Sequence, residues 1–250
     1  HGVKLLVHTR ARAAAVMFDA LKLYSQRWMA WHVRHASTAR RKLLDPGSLD
    51  GATFDHSDWD AVLAAHVRPT ETVDGVVTAT VDYAGVSADP RFDSYVSKIA
   101  NADLQALAPA EHLALLLNAY NALCVGLVVE HERRHPGQRL SSITALDGGA
   151  SGKKVWDQPA GVVGGKTVSL GQLEHRELRG GWDEPRLHFC IVCASASCPD
   201  LRGSAYVGER LQEQMADQAA TFFANPTKGL AWDGTSLTLS YAGRLSTARF

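Results

Sequence analysis

The chain lacks an excess of charge of either sign. Its 250 residues contain 26 Lys and Arg against 26 Asp and Glu, so the formal net charge is zero. Proteins that bind nucleic acid through their overall field are strongly basic, so this balance argues against nucleic acid as a partner. Only 8% of the residues are aromatic, but 46% are apolar, which is enough for a packed core.

Long apolar runs and cysteines are also scarce. No segment reaches the roughly 18 to 20 uninterrupted apolar residues that cross a bilayer, so no transmembrane span is expected and the chain should be soluble. There are four cysteines, and three of them, Cys190, Cys193 and Cys198, fall within nine residues. A disulfide scaffold distributes its cysteines over a small secreted fold, so this clustering indicates a local site.

Basic residues are concentrated at the start of the chain. The first 45 residues hold nine Lys and Arg against two Asp. Between Arg12 and Lys42 there is no Pro or Gly, and Val, Leu and Trp mix with basic residues, which favours one or two helices. We interpret residues 1–48 as a basic helical arm packed on the domain, or as a surface for a partner or a membrane. Because the chain begins with His1, both an exported and a cytoplasmic origin stay open.

Residues 49–250 are predicted to form a single mixed α/β (α+β) domain. Its centre is the segment from Ala110 to His131, where apolar residues cover nearly the whole circumference of a helix opened by Pro109. We therefore expect a buried central helix with a small sheet and further helices around it. The remaining predicted elements are helices over 57–67, 92–107, 169–179 and 206–223, strands over 76–83 and 186–192, and hairpins over 162–168 and 230–241.

The predicted strand over 186–192 leads to the candidate nucleophile. Side chains alternate along a strand, so His188, Cys190 and Val192 would share one face, while Cys193 stands at the strand end. The spacing of Cys190 and Cys193 is typical of redox or zinc pairs only at a turn or a helix start, where the sulfurs converge. Cys193 precedes small residues whose backbone N–H groups could stabilise an oxyanion, so it is the predicted nucleophile.

His188 and Glu174 complete the predicted constellation. His188 is close in sequence to the nucleophile and is the predicted base, although a regular strand puts it on the other face; His175 is the alternative. Glu174 lies on the apolar stripe of its helix, where a carboxylate needs a partner. It would orient the imidazole as in a catalytic triad, or form a structural ion pair with Arg179 or Arg186.

Further residues are predicted to bind substrate or to position the loop after the nucleophile: Asn118, Tyr120, Asn121, Arg186, Ser195 and Cys198. Asn118 and Asn121 are amides in an apolar helix, so we expect them to hold the loop through backbone hydrogen bonds. Ser195 lies among small residues, a pattern weakly similar to the nucleophile turn of hydrolases. Cys198 is interpreted as a resolving thiol, a metal ligand or a packed thiol.

Several separated motifs resemble the domain of unknown function 547 family. They occur in the family's order between Phe54 and Phe223 and are Phe54-Asp55-His56-Ser57-Asp58-Trp59, Val81-Asp82-Tyr83, Leu117-Asn118-Ala119-Tyr120-Asn121-Ala122-Leu123, Ser141-Ser142-Ile143, Trp156, Gly165-Lys166-Thr167-Val168-Ser169-Leu170, Leu173-Glu174-His175, Leu178-Arg179, and Arg186-Leu187-His188-Phe189 through Cys198-Pro199.

The resemblance implies a fold rather than an activity, because the family is named for lacking an established one. Its members can occur beside glutaredoxin-like modules or as exported bacterial proteins. The family pattern carries over onto a set of six residues, Asn118, Asn121, Glu174, His188, Cys193 and Cys198. The sequence departs from the pattern at Cys190 and Val192.

Three hypotheses follow. The leading one is a cysteine-centred hydrolase, or an acyl- or peptidyl-transferring enzyme, with Cys193, His188 and Glu174 acting on a small-molecule or peptide substrate. The second is a thiol redox or zinc-binding module that uses Cys193 and Cys198, and the third is a noncatalytic protein-interaction domain. No cofactor is predicted; a zinc site can be drawn by adding His175 and His188, but the spacing matches no standard zinc module.

Overall fold

The computed structural model describes residues 3–6, 49–138, 140, 142–148, 152–232 and 236–239. Within the basic arm, Val3–Leu6 forms a strand. The helices predicted between Arg12 and Lys42, and the partner or membrane surface predicted with them, lie outside the described residues.

Helices and small sheets mix along the chain, which confirms the predicted fold class. The helices are α1 (Ser57–His66), α2 (Tyr83–Ala88), α3 (Pro90–Ala100), α4 (Pro109–Arg134), α5 (Leu170–Gln172), continued by a π-helix (Leu173–Leu178), α6 (Leu187–Cys190) and α7 (Leu211–Ala224). Short 3₁₀ helices cover Ile143–Leu146, Val155–Asp157 and Gly208–Arg210. The strands are β1 (Val3–Leu6), β2 (Val67–Val73), β3 (Val76–Val81), β4 (Pro159–Val163), β5 (Lys166–Ser169), β6 (Leu230–Trp232) and β7 (Ser236–Leu239).

Helix α4 is the centre of the fold. Pro109 occupies its first turn, where the missing N–H needs no partner, and nearly every residue from Ala110 to Val125 is buried. Within the described part of the chain, α4 is the one helix long and apolar enough to cross a bilayer, but 78% of its most apolar stretch is buried inside the protein. The predicted buried central helix is thus confirmed, and it continues one turn past His131.

The strands form small antiparallel sheets. β2 pairs with β3, β4 pairs with β5, and β7 lies between β1 and β6. The two hairpins predicted over 162–168 and 230–241 are confirmed, but β2 was not predicted. Asp74 and Gly75 join β2 to β3 with φ of 50° and 78°, which matches the two-residue turn that Asp-Gly favours.

The predicted start of one helix, at Ser169, is confirmed, and the predicted start of another, at Ser57, is wrong. The predicted capping box is present: Ser169 Oγ accepts from the Gln172 N–H at 3.1 Å, and Gln172 Oε1 accepts from the Ser169 N–H at 2.9 Å. Ser57, by contrast, is the first residue of α1 rather than its N-cap, and its N–H donates to Asp55 Oδ1 at 3.0 Å. The predicted helices over 92–107 and 206–223 begin at Pro90 and Leu211.

The strand predicted over 186–192 is wrong, because Leu187–Cys190 is the short helix α6. Glu184 starts this turn by accepting from the Arg186 N–H at 2.9 Å and by pairing with the Arg186 guanidinium. A short apolar run has no periodicity that separates a buried helical turn from a strand. The alternation of faces inferred for His188 and Cys190 therefore does not apply.

A buried polar network ties α1 and α3 to α4. His56 Nδ1 contacts the Tyr95 hydroxyl at 2.8 Å and Asn118 Nδ2 at 3.1 Å, while His56 Nε2 lies 2.9 Å from Glu111 Oε1. An amide nitrogen only donates, so Nδ1 accepts and Nε2–H donates to Glu111. The second Glu111 oxygen accepts from the Gly208 N–H at 2.8 Å. The network satisfies each of these buried groups.

This network predicts a loss of stability in acid. Burial raises the pKa of Glu111, but the hydrogen bonds from His56 and Gly208 outweigh it and leave the pKa below its ordinary value of 4.5. A carboxylate whose pKa is lower in the folded state stabilises the fold above its unfolded pKa, and this contribution is lost as the pH falls through the folded value. Urea unfolding at a series of pH values should therefore show a stability loss below about pH 4.5.

The Glu111→Gln variant should lack this part of the pH dependence. Glu130→Gln, which removes an exposed carboxylate paired with Arg134 on the surface of α4, is the matched control and should keep the wild-type profile. Superimposable profiles for Glu111→Gln and Glu130→Gln would show that Glu111 carries no such linkage.

Candidate functional site

The predicted nucleophile is joined to another cysteine. Cys193 and Cys198 form a disulfide across five positions, and both are half-buried. Cys193 therefore has no free thiolate in this state, which corrects the prediction of a ready nucleophile. Cys124 and Cys190 are free and buried, and burial raises the pKa of each thiol to about 12.

The disulfide closes a surface turn, residues 193–198, here called the disulfide turn. Ala194 has φ of 51°, a left-handed conformation that costs a residue with a Cβ roughly 1 to 2 kcal/mol. Ser195 and Ser197 are exposed, and their hydroxyls lie 3.2 Å apart. The Cys198 N–H donates to the Ser195 carbonyl at 3.0 Å. The turn thus presents a strained backbone and two hydroxyls to solvent.

Asn121 of α4 holds the chain that enters the disulfide turn. Its Nδ2 donates to the Cys190 carbonyl at 2.9 Å, and its Oδ1 accepts from the Val192 N–H at 3.1 Å. Asn121 is only 3% exposed. Both bonds are made with backbone groups, so the amide fixes the path of the main chain directly before Cys193.

Asp200 holds the chain that leaves the disulfide turn. Its Oδ1 accepts from the Ala79 N–H at 2.7 Å, from the Thr78 hydroxyl at 2.8 Å and from Lys228 Nζ at 2.5 Å. The Asp200 carbonyl accepts from Gln218 Nε2 of α7. Three elements, β3, α7 and the segment before β6, therefore meet at the residue that follows Pro199.

A second polar cluster lies just before the disulfide turn in the chain. Arg179 Nη2 is 2.6 Å from Glu174 Oε1 and 3.0 Å from His188 Nδ1, so one guanidinium nitrogen bridges the two predicted catalytic residues. Glu174 thus makes the structural ion pair with Arg179 that was one of its two predicted roles. Burial, with the Glu174 charge adding to it, raises the pKa of Tyr120 far above its ordinary range.

The bridge through Arg179 fixes the state of His188. A guanidinium has no acceptor, so His188 Nδ1 accepts and the neutral imidazole carries its hydrogen on Nε2. A triad histidine has the opposite arrangement, with Nδ1–H donating to the carboxylate and Nε2 free to take a proton. The π-helix supplies the geometry of this cluster, because the Arg179 N–H donates to the Glu174 carbonyl at 2.9 Å across five residues.

The remaining predicted residues lie apart from the disulfide turn. Asn118 holds the backbone of Tyr206 from both sides, with bonds of 2.7 and 3.0 Å. Arg186 pairs with Glu184 and donates to Gln212 Oε1 at 2.6 Å. His175, the alternative base, is exposed. Within the described residues no group of three or more His, Cys, Asp or Glu is arranged to hold a metal ion.

A groove of about 840 Å³ adjoins the disulfide turn. Residues of β3 and of the C-terminal half of α4 line it together with Ala194, Ser195 and Ala196 of the turn. Val125 and Val128 of α4 line its apolar wall. The volume lies within the range of roughly 300 to 1,000 Å³ that is typical of ligand sites.

Comparison with known proteins identifies the part of the chain that carries the site. A family model described as "Protein of unknown function, DUF547" matches residues 104–223. These residues are a DUF547 domain. The resemblance predicted from the sequence motifs is confirmed over this span. Neither a curated protein nor a solved structure matches the chain.

Two residues that hold the chain after the disulfide turn, Thr78 and Lys228, were not predicted from the sequence. Thr78 and Lys228 lie outside the residues matched to the DUF547 family, on either side of them. Thr78 is 122 positions from Asp200, and Lys228 is 28 positions away, so no local pattern links them. The Asp74-Gly75 turn was the available signal for the hairpin that carries Thr78.

Removing the amide of Asn121 should destabilise the DUF547 domain. The Asn121→Leu variant leaves the Cys190 carbonyl and the Val192 N–H without their partner, and each such buried group costs about 1 to 3 kcal/mol. Denaturant unfolding should report a loss of about 2 to 5 kcal/mol. Asn101→Leu, at the exposed residue that follows α3, is the control and should cost less than about 1 kcal/mol. Equal losses for the two variants would refute a role for Asn121 in holding the chain.

Proposed function

We propose that the DUF547 domain is a thiol–disulfide exchange module whose exchanging pair is Cys193 and Cys198. One observation carries the proposal: the disulfide lies in a solvent-reaching turn, while the backbone on both sides is held by other bonds. Asn121 holds Val192, and Thr78 and Ala79 hold Asp200. Opening the disulfide leaves these bonds in place, so the two sulfurs stay close enough to react again.

The energetics support reversible opening. Closing a loop of six residues stabilises a folded protein by about 2 kcal/mol in the chain-entropy account. Domains of this size are stable by about 5 to 15 kcal/mol, so loss of the disulfide alone leaves most of the stability. Most of the apolar core around α4 is formed by residues outside the disulfide turn, with Ala194 of the turn packed against it.

The chemistry is a two-electron exchange with a dithiol. A thiolate of the reductant attacks one sulfur of the disulfide, forms a mixed disulfide and releases the other cysteine as a thiolate. The second thiol of the reductant, as its thiolate, then displaces the first cysteine. The reductant ends as a disulfide, and Cys193 and Cys198 end as thiols after taking up the two protons it lost. The exposed Ser195 and Ser197, and the groove that adjoins the turn, leave room for this approach.

The proposal predicts that the pair is reduced without unfolding. The full chain is equilibrated with mixtures of reduced and oxidised glutathione, alkylated, and mapped by mass spectrometry. Cys193 and Cys198 should become labelled together, and circular dichroism should stay native. Cys124 and Cys190 are internal controls that should stay unlabelled, because burial raises the pKa of both thiols. If the four cysteines become labelled in step, reduction requires global unfolding, the disulfide is purely structural and the proposal fails.

A second candidate is the cysteine-centred hydrolase or transferase, acting only in the reduced state. It is favoured by the cluster of Glu174, Arg179 and His188 close in the chain to Cys193. In this mechanism His188 Nε2 accepts the Cys193 thiol proton, the thiolate attacks an acyl carbon, and His188 returns the proton to the leaving group. Water then hydrolyses the acyl-enzyme and restores the thiol. Arg179 must first release His188 Nδ1, so that Nε2 is free to accept a proton.

Acylation of the reduced protein separates the two candidates. With p-nitrophenyl acetate as probe, the hydrolase account expects rapid acylation of Cys193, lost in the oxidised protein and slowed about 100-fold or more in His188→Ala. His175→Ala, at an exposed histidine of the π-helix, is the control and should react like the wild type. Equal rates for the two histidine variants would leave the exchange module as the surviving proposal.

A further inference from the structure

Lys228 is a buried cation next to the disulfide turn. It is 2% exposed, and its Nζ donates to Asp200 Oδ1 at 2.5 Å and to the Thr78 hydroxyl at 2.9 Å. The Ala196 carbonyl, which lies within the disulfide turn, is 3.4 Å from the same nitrogen. A buried ammonium is tolerated only where such partners surround it. Lys228 thus links β3 to both the turn and its outgoing chain.

The segment that carries Lys228 is itself fixed on β3. Asn225 Nδ2 donates to the Val77 carbonyl at 2.7 Å, and the Thr227 hydroxyl accepts from the Val77 N–H at 3.0 Å. The Gly229 N–H closes the turn on the Asn225 carbonyl at 2.7 Å. None of these bonds involves the disulfide turn, so Lys228 keeps its place whichever state the two cysteines are in.

We propose that Lys228 is a positioning residue that keeps the disulfide turn in its closed form after reduction and so favours re-formation of the disulfide. This inference rests on the proposed exchange function. Lys228 contacts no reacting atom in this account; it acts through the Ala196 carbonyl and through Asp200, which lie on either side of Cys198.

Lys228 is expected to favour the oxidised form of the protein over the reduced form, because it contacts the turn only when the turn is closed. In the oxidised protein the turn is always closed, so the Ala196 carbonyl always faces Lys228 Nζ. In the reduced protein the turn also samples open forms in which this contact is lost. Lys228 therefore stabilises the oxidised state more than the reduced state, and its removal should make the disulfide easier to reduce.

The test is the Lys228→Met variant, equilibrated with glutathione as above. A hydrogen bond to a charged group is worth about a 10- to 150-fold change in an equilibrium constant. The reduced turn keeps this bond in its closed form, so only part of that factor is lost on reduction, and reduction of the variant should become about three- to tenfold more favourable. Glu111→Gln is the matched control, because it weakens a buried hydrogen bond from His56 to a carboxylate in a separate network. It should lower stability without moving the glutathione equilibrium.

A purely structural role gives a different result. In that case Lys228→Met lowers the unfolding stability of the oxidised and reduced forms equally and leaves the glutathione equilibrium at the wild-type value. This outcome would overturn the inference. A disulfide that becomes harder to reduce in the variant would overturn it as well. Asp200→Asn, which keeps an oxygen for the Ala79 N–H but removes the charge that holds Lys228, should shift the equilibrium in the same direction if Lys228→Met does not fold.

Different results refute the exchange function and the positioning role of Lys228. If the wild-type disulfide is reduced only on unfolding, the exchange function falls and the role of Lys228 falls with it. If the wild type is reduced in its native state but Lys228→Met and Asp200→Asn behave like Glu111→Gln, the exchange function stands and only the role of Lys228 is refuted.

Discussion

The buried Asn121 and the half-buried Asp200 hold the main chain on either side of one exposed turn. Asn121 satisfies the backbone before Cys193, and Asp200 gathers donors from β3 and from Lys228 directly after Pro199. Asn121 and Lys228 are buried, so breaking their bonds leaves polar atoms without partners at a cost of about 1 to 3 kcal/mol each. The main chain on both sides of the turn is therefore held by hydrogen bonds from remote elements, in addition to the disulfide.

The way the turn is held favours thiol–disulfide exchange over the cysteine-centred hydrolase as the proposed function. A disulfide over six residues contributes about 2 kcal/mol, which is no more than one or two of the buried hydrogen bonds around it. The left-handed Ala194 adds strain inside the turn, and such strain persists only where the surroundings impose it. A turn that is strained, exposed and held from outside suits a bond that opens and closes. The Arg179 bridge, in contrast, holds His188 in the tautomer that a triad base does not use.

The sequence was informative where patterns are local. The apolar residues of α4, the capping box at Ser169 and the Gly164-Gly165 hairpin each follow from a few neighbouring residues, and the family resemblance follows from motifs in order. The partnership of Asp200 with Thr78 has no such pattern, because the two residues meet only after β3 packs against the disulfide turn. The helical turn at Leu187–Cys190 was mistaken for a strand, since four residues are too few to show a period. The disulfide could not be told from other roles of Cys198.

The central claim is that the two flanks of the disulfide turn keep their hydrogen bonds when the disulfide is opened. Amide hydrogen exchange on the oxidised and the reduced protein tests it at the Val192 N–H, which donates to Asn121, and at the Ala79 N–H, which donates to Asp200. The account predicts that both amides stay protected in the reduced protein while exchange accelerates within residues 194–198. Loss of protection at either amide on reduction would contradict it.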